Sequence, residues 1–356
     1  GAAAPTAGPE SPANFQALRE TWLKTLRERS GGQSILLVLD AINQLDTGLA
    51  DTSWIPWELP ENVKLVISFK RGEPPAEALY HDLLQNRRAR LHEVKPFESL
   101  AERKKLVAGY LRTYLKDLDP DRMEQLVALP GSENPLYLKV LLSEMRVFGV
   151  FGDLKAKIAA FGSDPVSAFE AVLLRLETDA SSSSIPPERL VPLMFGYLAH
   201  ARSGLSSGEL SGLVVQSLGL ADDPLRQNLA AQSVSLFLRQ MRPFLARRSG
   251  RFDFFYESFR LAALRRYTRG EPGRPGAFHQ SQAEWHHGLA AYFESQPLWL
   301  ARDTFSPQPR RTGELPYHLA LSGQSQNFQN CLLDFDFLLA KVIAQGAPAL
   351  LEDFKL

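Results

Sequence analysis

Two short apolar runs, Ile35-Leu36-Leu37-Val38-Leu39 and Val63-Lys64-Leu65-Val66-Ile67, set the tightest limit on how this chain folds. Each closes on a polar residue, Asp40 and Ser68. Runs this short, bounded by Gly or turn residues, match central strands of a parallel sheet covered on both faces. A helical pattern precedes the first run. Phe15, Leu18, Trp22, Leu23 and Leu26 fall on one face, and Gly31-Gly32 stops them. A helix followed by two buried strands predicts an α/β layer, of which two strands are only a part.

From Phe97 onward the periodicity is helical. Ser99 to Leu115, Asp121 to Leu129 and Pro135 to Phe148 read as helices, with Ser99-x-x-Glu102 spaced as a capping box and Pro135 suited to a first helical turn. The polar tract Ala180 to Ser184 predicts a domain boundary. Beyond it, Leu190 to Ala199 is helical, Ser206-x-x-Glu209 opens a helix through Val215, and Gln232 to Met241 forms another. Pro243 to Arg247, Ser249-Gly250 and Arg251 to Tyr256 read as a β-hairpin, so helices plus hairpin predict a winged helix. Residues 277–356 are again mostly helical. The division predicted is a flexible lead-in at 1–14, the C-terminal half of a P-loop α/β domain at 15–96, a helical domain at 97–180, a winged helix at 185–268 and a helical connector at 269–356.

Composition removes several classes. Lys+Arg and Asp+Glu both number 40, a zero balance that argues against a surface built mainly for nucleic acid or anionic lipid. The single cysteine, Cys331, permits no internal disulfide or cysteine-based zinc site and suits a reducing cytoplasm. No apolar run is long enough for a bilayer, and residues 1–14 lack the pattern of a secretory signal. His286 and His287 are adjacent, so on a helix they point to different sides and share a metal poorly. With His279 they are expected to be solvated or core-edge residues.

Three places could carry chemistry. Asp40 at a strand tip suits magnesium, which wants oxygen ligands, although the same Asp suits a turn or cap. Ser68, with Lys70 and Arg71 behind it, could sense a terminal phosphate or simply end a strand. Asn134-Pro135 opens an apolar helix, where a proline could pack on a flat base or do no more than start the helix.

Taken in order, these segments resemble NACHT-type STAND P-loop ATPases. ILLVLDAINQLD is similar to the Walker B strand of that family, VKLVISFKRG to its sensor-1 strand, and ENPLYLKVLLSEMRVFG to the helix carrying the adenine-contacting proline. FDFFYESFRLAAL resembles the end of its winged helix. ELPYHLALSG and LLDFDFLLAKVIAQGAPALLEDF resemble the connector that leads into repeat arrays. The resemblance implies ATP or ADP with Mg2+ as cofactors. Asp40 would hold magnesium through water, Asn43 or Gln44 would place a water, and Ser68 or Arg71 would sense the γ-phosphate. Asn134 and Pro135 would meet adenine, and Tyr256 would stand where the winged helix closes over nucleotide. The implied function is a cytoplasmic signalling switch, closed with ADP, open and self-associating with ATP, and joined to protein ligands through a repeat domain. Three departures weaken it: no Gly-x-x-x-x-Gly-Lys-Ser/Thr occurs, Asn43 and Gln44 stand where acids are frequent, and Tyr256 stands where a His is frequent. The chain is therefore expected to be a fragment with little or no ATPase activity. Two other readings are a non-catalytic helical scaffold with a degenerate nucleotide site, and a winged-helix nucleic-acid binder using Arg242, Arg247, Arg248, Arg251, Arg265 and Arg266.

Overall fold

The computed structural model describes residues 15–31, 33–44, 49, 52–72, 74–85, 89–147, 161–178, 185–269 and 278–356. The expected lead-in at 1–14 and the polar boundary at 180–184 lie outside them. The chain divides into two units, Gly1–Val94 and Lys95–Leu356. Among the described residues it is mainly helical, with three small sheets. No described helix is long and apolar enough to cross a membrane.

In the first unit, α1 (Phe15–Ser30) precedes β1 (Ile35–Leu39), then β2 (Val63–Ile67) and α2 (Pro74–Gln85) follow. The strands pair in parallel, Ile35 opposite Val63 through Leu39 opposite Ile67. Their alternation decides the architecture. Leu39, Leu65 and Ile67 face a small core of Ile42, Ile55, Leu79 and Leu83, which Trp54 and Trp57 close. The other face stays open, with Leu36 64%, Val38 62% and Val66 50% exposed. The sheet is thus two strands covered on one side among the described residues. This corrects the expected partial P-loop sheet, whose strands would be covered on both faces.

The second unit has one continuous core running from Val107 to Phe337. It opens with α3 (Leu100–Arg112), α4 (Pro120–Val127), α5 (Pro135–Val147) and α6 (Pro165–Thr178). Side chains fix the helix starts. Ser99 and Asp119 cap α3 and α4, and Asn134 Oδ1 accepts the Leu136 and Tyr137 amides at the head of α5. Buried Arg103 ties the segment together by donating to the Phe97, Glu98 and Val127 carbonyls, to Ser132, and to Glu133 at 2.9 Å.

The centre is α7 (Pro187–His200), in which every residue from Leu190 to His200 is buried. A helix apolar on all sides belongs inside a core. Around it come β3 (Leu205–Ser206), α8 (Ser207–Ser217), α9 (Pro224–Gln240), β4 (Leu245–Arg248), β5 (Arg251–Phe254) and α10 (Glu257–Tyr267). The three strands form one antiparallel sheet in the order β3-β5-β4, with the Ser249-Gly250 turn at its tip. Phe254 of β5 joins an aromatic cluster with Phe169, Phe195, Phe244 and Phe259, in which Phe169 stacks on Phe259 and the other pairs meet edge to face or tilted. Both ends of the Glu177 carboxylate are used, by Arg266 and by the Tyr267 hydroxyl at 2.6 Å, which pins α6 to α10.

The remainder is α11 (Gln282–Ser295), a β6–β7 ribbon (Trp299–Ala301 and Ser306–Pro307), α12 (Pro309–Leu321), α13 (Ser325–Leu333), α14 (Phe335–Gln345) and α15 (Ala347–Asp353). Ser281 and Glu284 make a complete capping box on α11, as Ser206 and Glu209 do on α8. Trp285 of α11 packs on α7, edge to face with Tyr197 and stacked on His200. Its indole nitrogen donates to the Tyr267 carbonyl at 3.0 Å, and Gly196 leaves room for the ring.

Candidate functional site

The residues singled out in the sequence each have a structural partner. Asp40 ends β1, and its carboxylate accepts the Ser68 hydroxyl. The same Ser68 oxygen accepts the Ala41 amide at 2.8 Å, while Ile42 donates to the Ser68 carbonyl at 3.1 Å. Asn43 Oδ1 accepts the Lys70 amide at 3.1 Å, and the Gln44 amide closes a short turn on Ala41. Arg71 turns away to Glu77, 2.7 Å from its carboxylate, and lies over the Tyr80 ring. These groups knit the ends of the two strands together. Asn134 and Pro135 start α5, and Tyr256 precedes α10, where its hydroxyl accepts Lys139 Nζ at 2.7 Å. Asp40, Asn43, Gln44, Ser68 and Arg71 lie in the first unit. Asn134, Pro135 and Tyr256 lie in the second.

A cleft in the second unit contains none of Asn134, Pro135 and Tyr256. It measures about 710 Å³ and lies between the end of α7, the Ser249-Gly250 turn, α12 and α14. Arg202, Glu209, Arg251, Arg310, Glu314 and Lys341 line it. Arg310 is its hub. The guanidinium donates to Glu209 at 2.6 Å, to Glu314 at 2.6 Å, to the Ser203 hydroxyl at 2.8 Å and to the Gly204 carbonyl at 2.8 Å. Ser203 in turn donates to Glu314 and receives Arg251 at 3.2 Å. On the far wall, buried Lys341 lies 2.6 Å from the Asp353 carboxylate and donates to the Thr312 carbonyl at 2.9 Å. Arg202 reaches the other Asp353 oxygen at 3.4 Å and the Gly313 carbonyl at 3.1 Å.

Behind Glu314 runs a buried chain of imidazoles. His318 Nε2 lies 3.2 Å from Glu314, His318 Nδ1 lies 2.9 Å from His286 Nδ1, and the His200 and His286 rings meet edge to face. Hydrogen bonding assigns the tautomers. Glu314 accepts a hydrogen bond from His318 Nε2–H, so His318 Nδ1 accepts from His286 Nδ1–H. His200 Nδ1 donates to the Gly196 carbonyl at 2.8 Å, leaving Nε2 to accept from Thr268. Burial keeps the chain neutral: it pushes His200 down to about 4 and His286 down to about 3. Burial also works to raise the Glu314 carboxyl, but the His318 hydrogen bond, the Arg310 charge and the Ser203 hydroxyl outweigh it and hold the group at about 2. His286 is therefore a core residue rather than a solvated or core-edge one, while His287 is exposed.

Chemically, this cleft is a lock. Arg202 and Lys341 face Asp353, Arg310 faces Glu209 and Glu314, and Arg251 reaches the Ser203 hydroxyl. Among the described residues no group of three or more His, Cys, Asp and Glu is arranged to hold a metal ion. Cys331 lies outside the cleft lining, with its thiol pushed up to about 12 by burial. Two local signals for the network are legible in the sequence: Arg310 and Glu314, and Glu314 and His318, are each one helical turn apart. Nothing local joins them to Ser203, Glu209 or Asp353.

No family model matches the chain. It is 26% identical over 307 residues to a TPR repeat-containing protein of Dictyostelium discoideum, covering 85% of this chain and 16% of that one. It is 25% identical over 359 residues to telomerase protein component 1 of Rattus norvegicus, covering 94% of this chain and 13% of the relative. The same component of Mus musculus matches at 26% over 200 residues, 54% of this chain and 7% of the relative. The chain thus spans less than a fifth of the length of these relatives. Their names are those of a TPR-repeat protein and a telomerase component, not of a NACHT or STAND switch. With a two-stranded sheet open on one face, these matches overturn the resemblance to NACHT-type P-loop ATPases. The nucleotide-switch function falls with it. So do the P-loop, ATP-binding and signalling-switch descriptions. ATP, ADP and Mg2+ had entered only through that resemblance.

Proposed function

We propose that this chain is a non-catalytic helical scaffold whose work is packing against other protein. One observation carries the reading. The last three helices leave large apolar side chains in water: Leu333 80%, Phe335 75%, Leu351 62% and Phe354 57% exposed. Single exposed leucines are ordinary, but a run of them on consecutive short helices marks an interaction surface. Helices of this length joined by tight turns are the unit of stacked repeats, each of which buries its apolar face only against a neighbour. The TPR repeat named in the Dictyostelium relative is a repeat of that kind. The covering partner we propose is a further helical segment of the same protein.

The order α7, β3, α8, α9, β4, β5 is that of a winged helix, and we read it as a packing element. Two of its three hairpin arginines have partners within the chain. Arg251 is spent on Ser203, and Arg247 lies over the Phe252 ring. The neutral net charge agrees.

The test uses Leu351→Asp and Phe354→Asp. In residues 1–356 alone both substitutions should leave the unfolding midpoint within about 0.5 kcal/mol of the parent, as surface changes do. In the protein as it occurs naturally they should lower stability by about 2 kcal/mol or more, since a charge then meets an apolar interface. Equal, small effects in both settings would remove the reading.

A further inference from the structure

Helix α9 has two faces of different character. Ala230, Ser233, Val234, Phe237 and Leu238 are buried in the second unit. Leu225, Leu229, Gln232, Leu236 and Arg239 line a shallow groove on the outside, with Leu225 70% and Leu236 44% exposed. The outer residues recur at steps of four, three, four and three, the seam spacing by which one helix packs along another.

We propose that this seam seats a second copy of the same helix, antiparallel, about a two-fold axis at Gln232. The seam is its own complement. Reversal about Gln232 brings Leu229 of one copy within one residue of the level of Leu236 of the other, and does so twice. The two Gln232 amides meet at the axis, where each can donate and accept. Leu225 meets position 239, whose arginine covers it with an aliphatic stem while its charge stays in water. Charge obeys the same reversal. Asp222 flanks the N-terminal end of α9, where Asp223 is already paired with Arg226 at 3.3 Å, and Arg239 and Arg242 flank its C-terminal end. Antiparallel pairing places each acidic end beside a basic end, with the helix dipoles opposed, whereas parallel pairing would stack like charges. A two-fold, isologous contact also closes on itself and builds no fibre. This seam is separate from the α13–α15 surface, so either can fail without the other.

A helix of 17 residues spans about 25 Å. That is less than a standard interface provides, so the dimer is weak. Sedimentation of the 356-residue chain should show monomer near ~5 µM and a rising dimer fraction by ~500 µM, a dissociation constant on the order of 100 µM. Cysteine trapping reads the geometry. Gln232→Cys should give a disulfide-linked dimer on mild oxidation, and the parent, whose Cys331 is half-buried, should not. Leu225→Cys alone should not cross-link, but a mixture of Leu225→Cys and Arg239→Cys chains should. Leu229→Asp with Leu236→Asp should weaken association more than tenfold with the far-UV spectrum unchanged. Asp222→Arg should weaken it about threefold, and adding Arg242→Asp should restore it. A chain that stays monomeric throughout, with Gln232→Cys untrapped, overturns the pairing and leaves the seam to a different protein. A Leu225→Cys self-cross-link overturns the antiparallel orientation.

Discussion

At the scale of single residues, the second unit depends on a few groups that cannot change alone. A Cβ on Gly196 would stand 2.4 Å from the Trp285 ring, which is itself buried and held by its indole hydrogen bond. Gly196→Ala is therefore expected to cost about 1–3 kcal/mol through overpacking, read as a lower urea midpoint at unchanged slope. Lys341 is more exacting. Its ammonium is 1% exposed and its carboxylate partner is Asp353. Asp353→Ala strands a buried charge and is expected to cost about 3–5 kcal/mol, whereas Lys341→Met with Asp353→Leu is expected to be near neutral. Thermal unfolding of the three variants checks this. If the double variant is as damaged as the single one, the Lys341–Asp353 pair is not what holds α14 and α15.

At the scale of elements, the buried imidazoles make the α7–α11–α12 junction acid-labile. His200 and His286 are held below their ordinary value of 6.5 by burial, so between pH 6.5 and their folded values the unfolded chain binds more protons. The stability they represent is whole above pH 6.5 and is lost as pH falls toward about 4 for His200 and about 3 for His286. Urea midpoints measured from pH 7 to pH 5 should therefore decline, and His286→Gln should flatten the decline. A midpoint independent of pH over that window would contradict the neutral chain.

Some elements were plain in the sequence and others were not, for physical reasons. Ile35–Leu39 and Val63–Ile67 are strands at the residues expected, because a short apolar run closed by turn residues has few alternatives. The same runs cannot say how many faces are covered, and there the expectation failed. The Ser206–Glu209 cap marked the start of α8, but α9 begins at Pro224 rather than Gln232. Leu225 and Leu229 point outward, so the first half of α9 lacks the inward apolar rhythm that announces a helix. Nor could the cleft be foreseen. Ser203 and Glu314 lie 111 residues apart, and only the fold brings them into contact.

At the scale of the whole molecule, the last helices carry open apolar surface, and the proposed scaffold role requires a partner to cover it. Amide hydrogen exchange of α13–α15 tests that claim most directly. In residues 1–356 alone these short helices should exchange fast, because little covers them. In the protein as it occurs naturally they should be protected roughly as well as α7, since burial of Leu333, Phe335, Leu351 and Phe354 closes the local opening route. Exchange of α13–α15 that is equally fast in both settings would contradict the account.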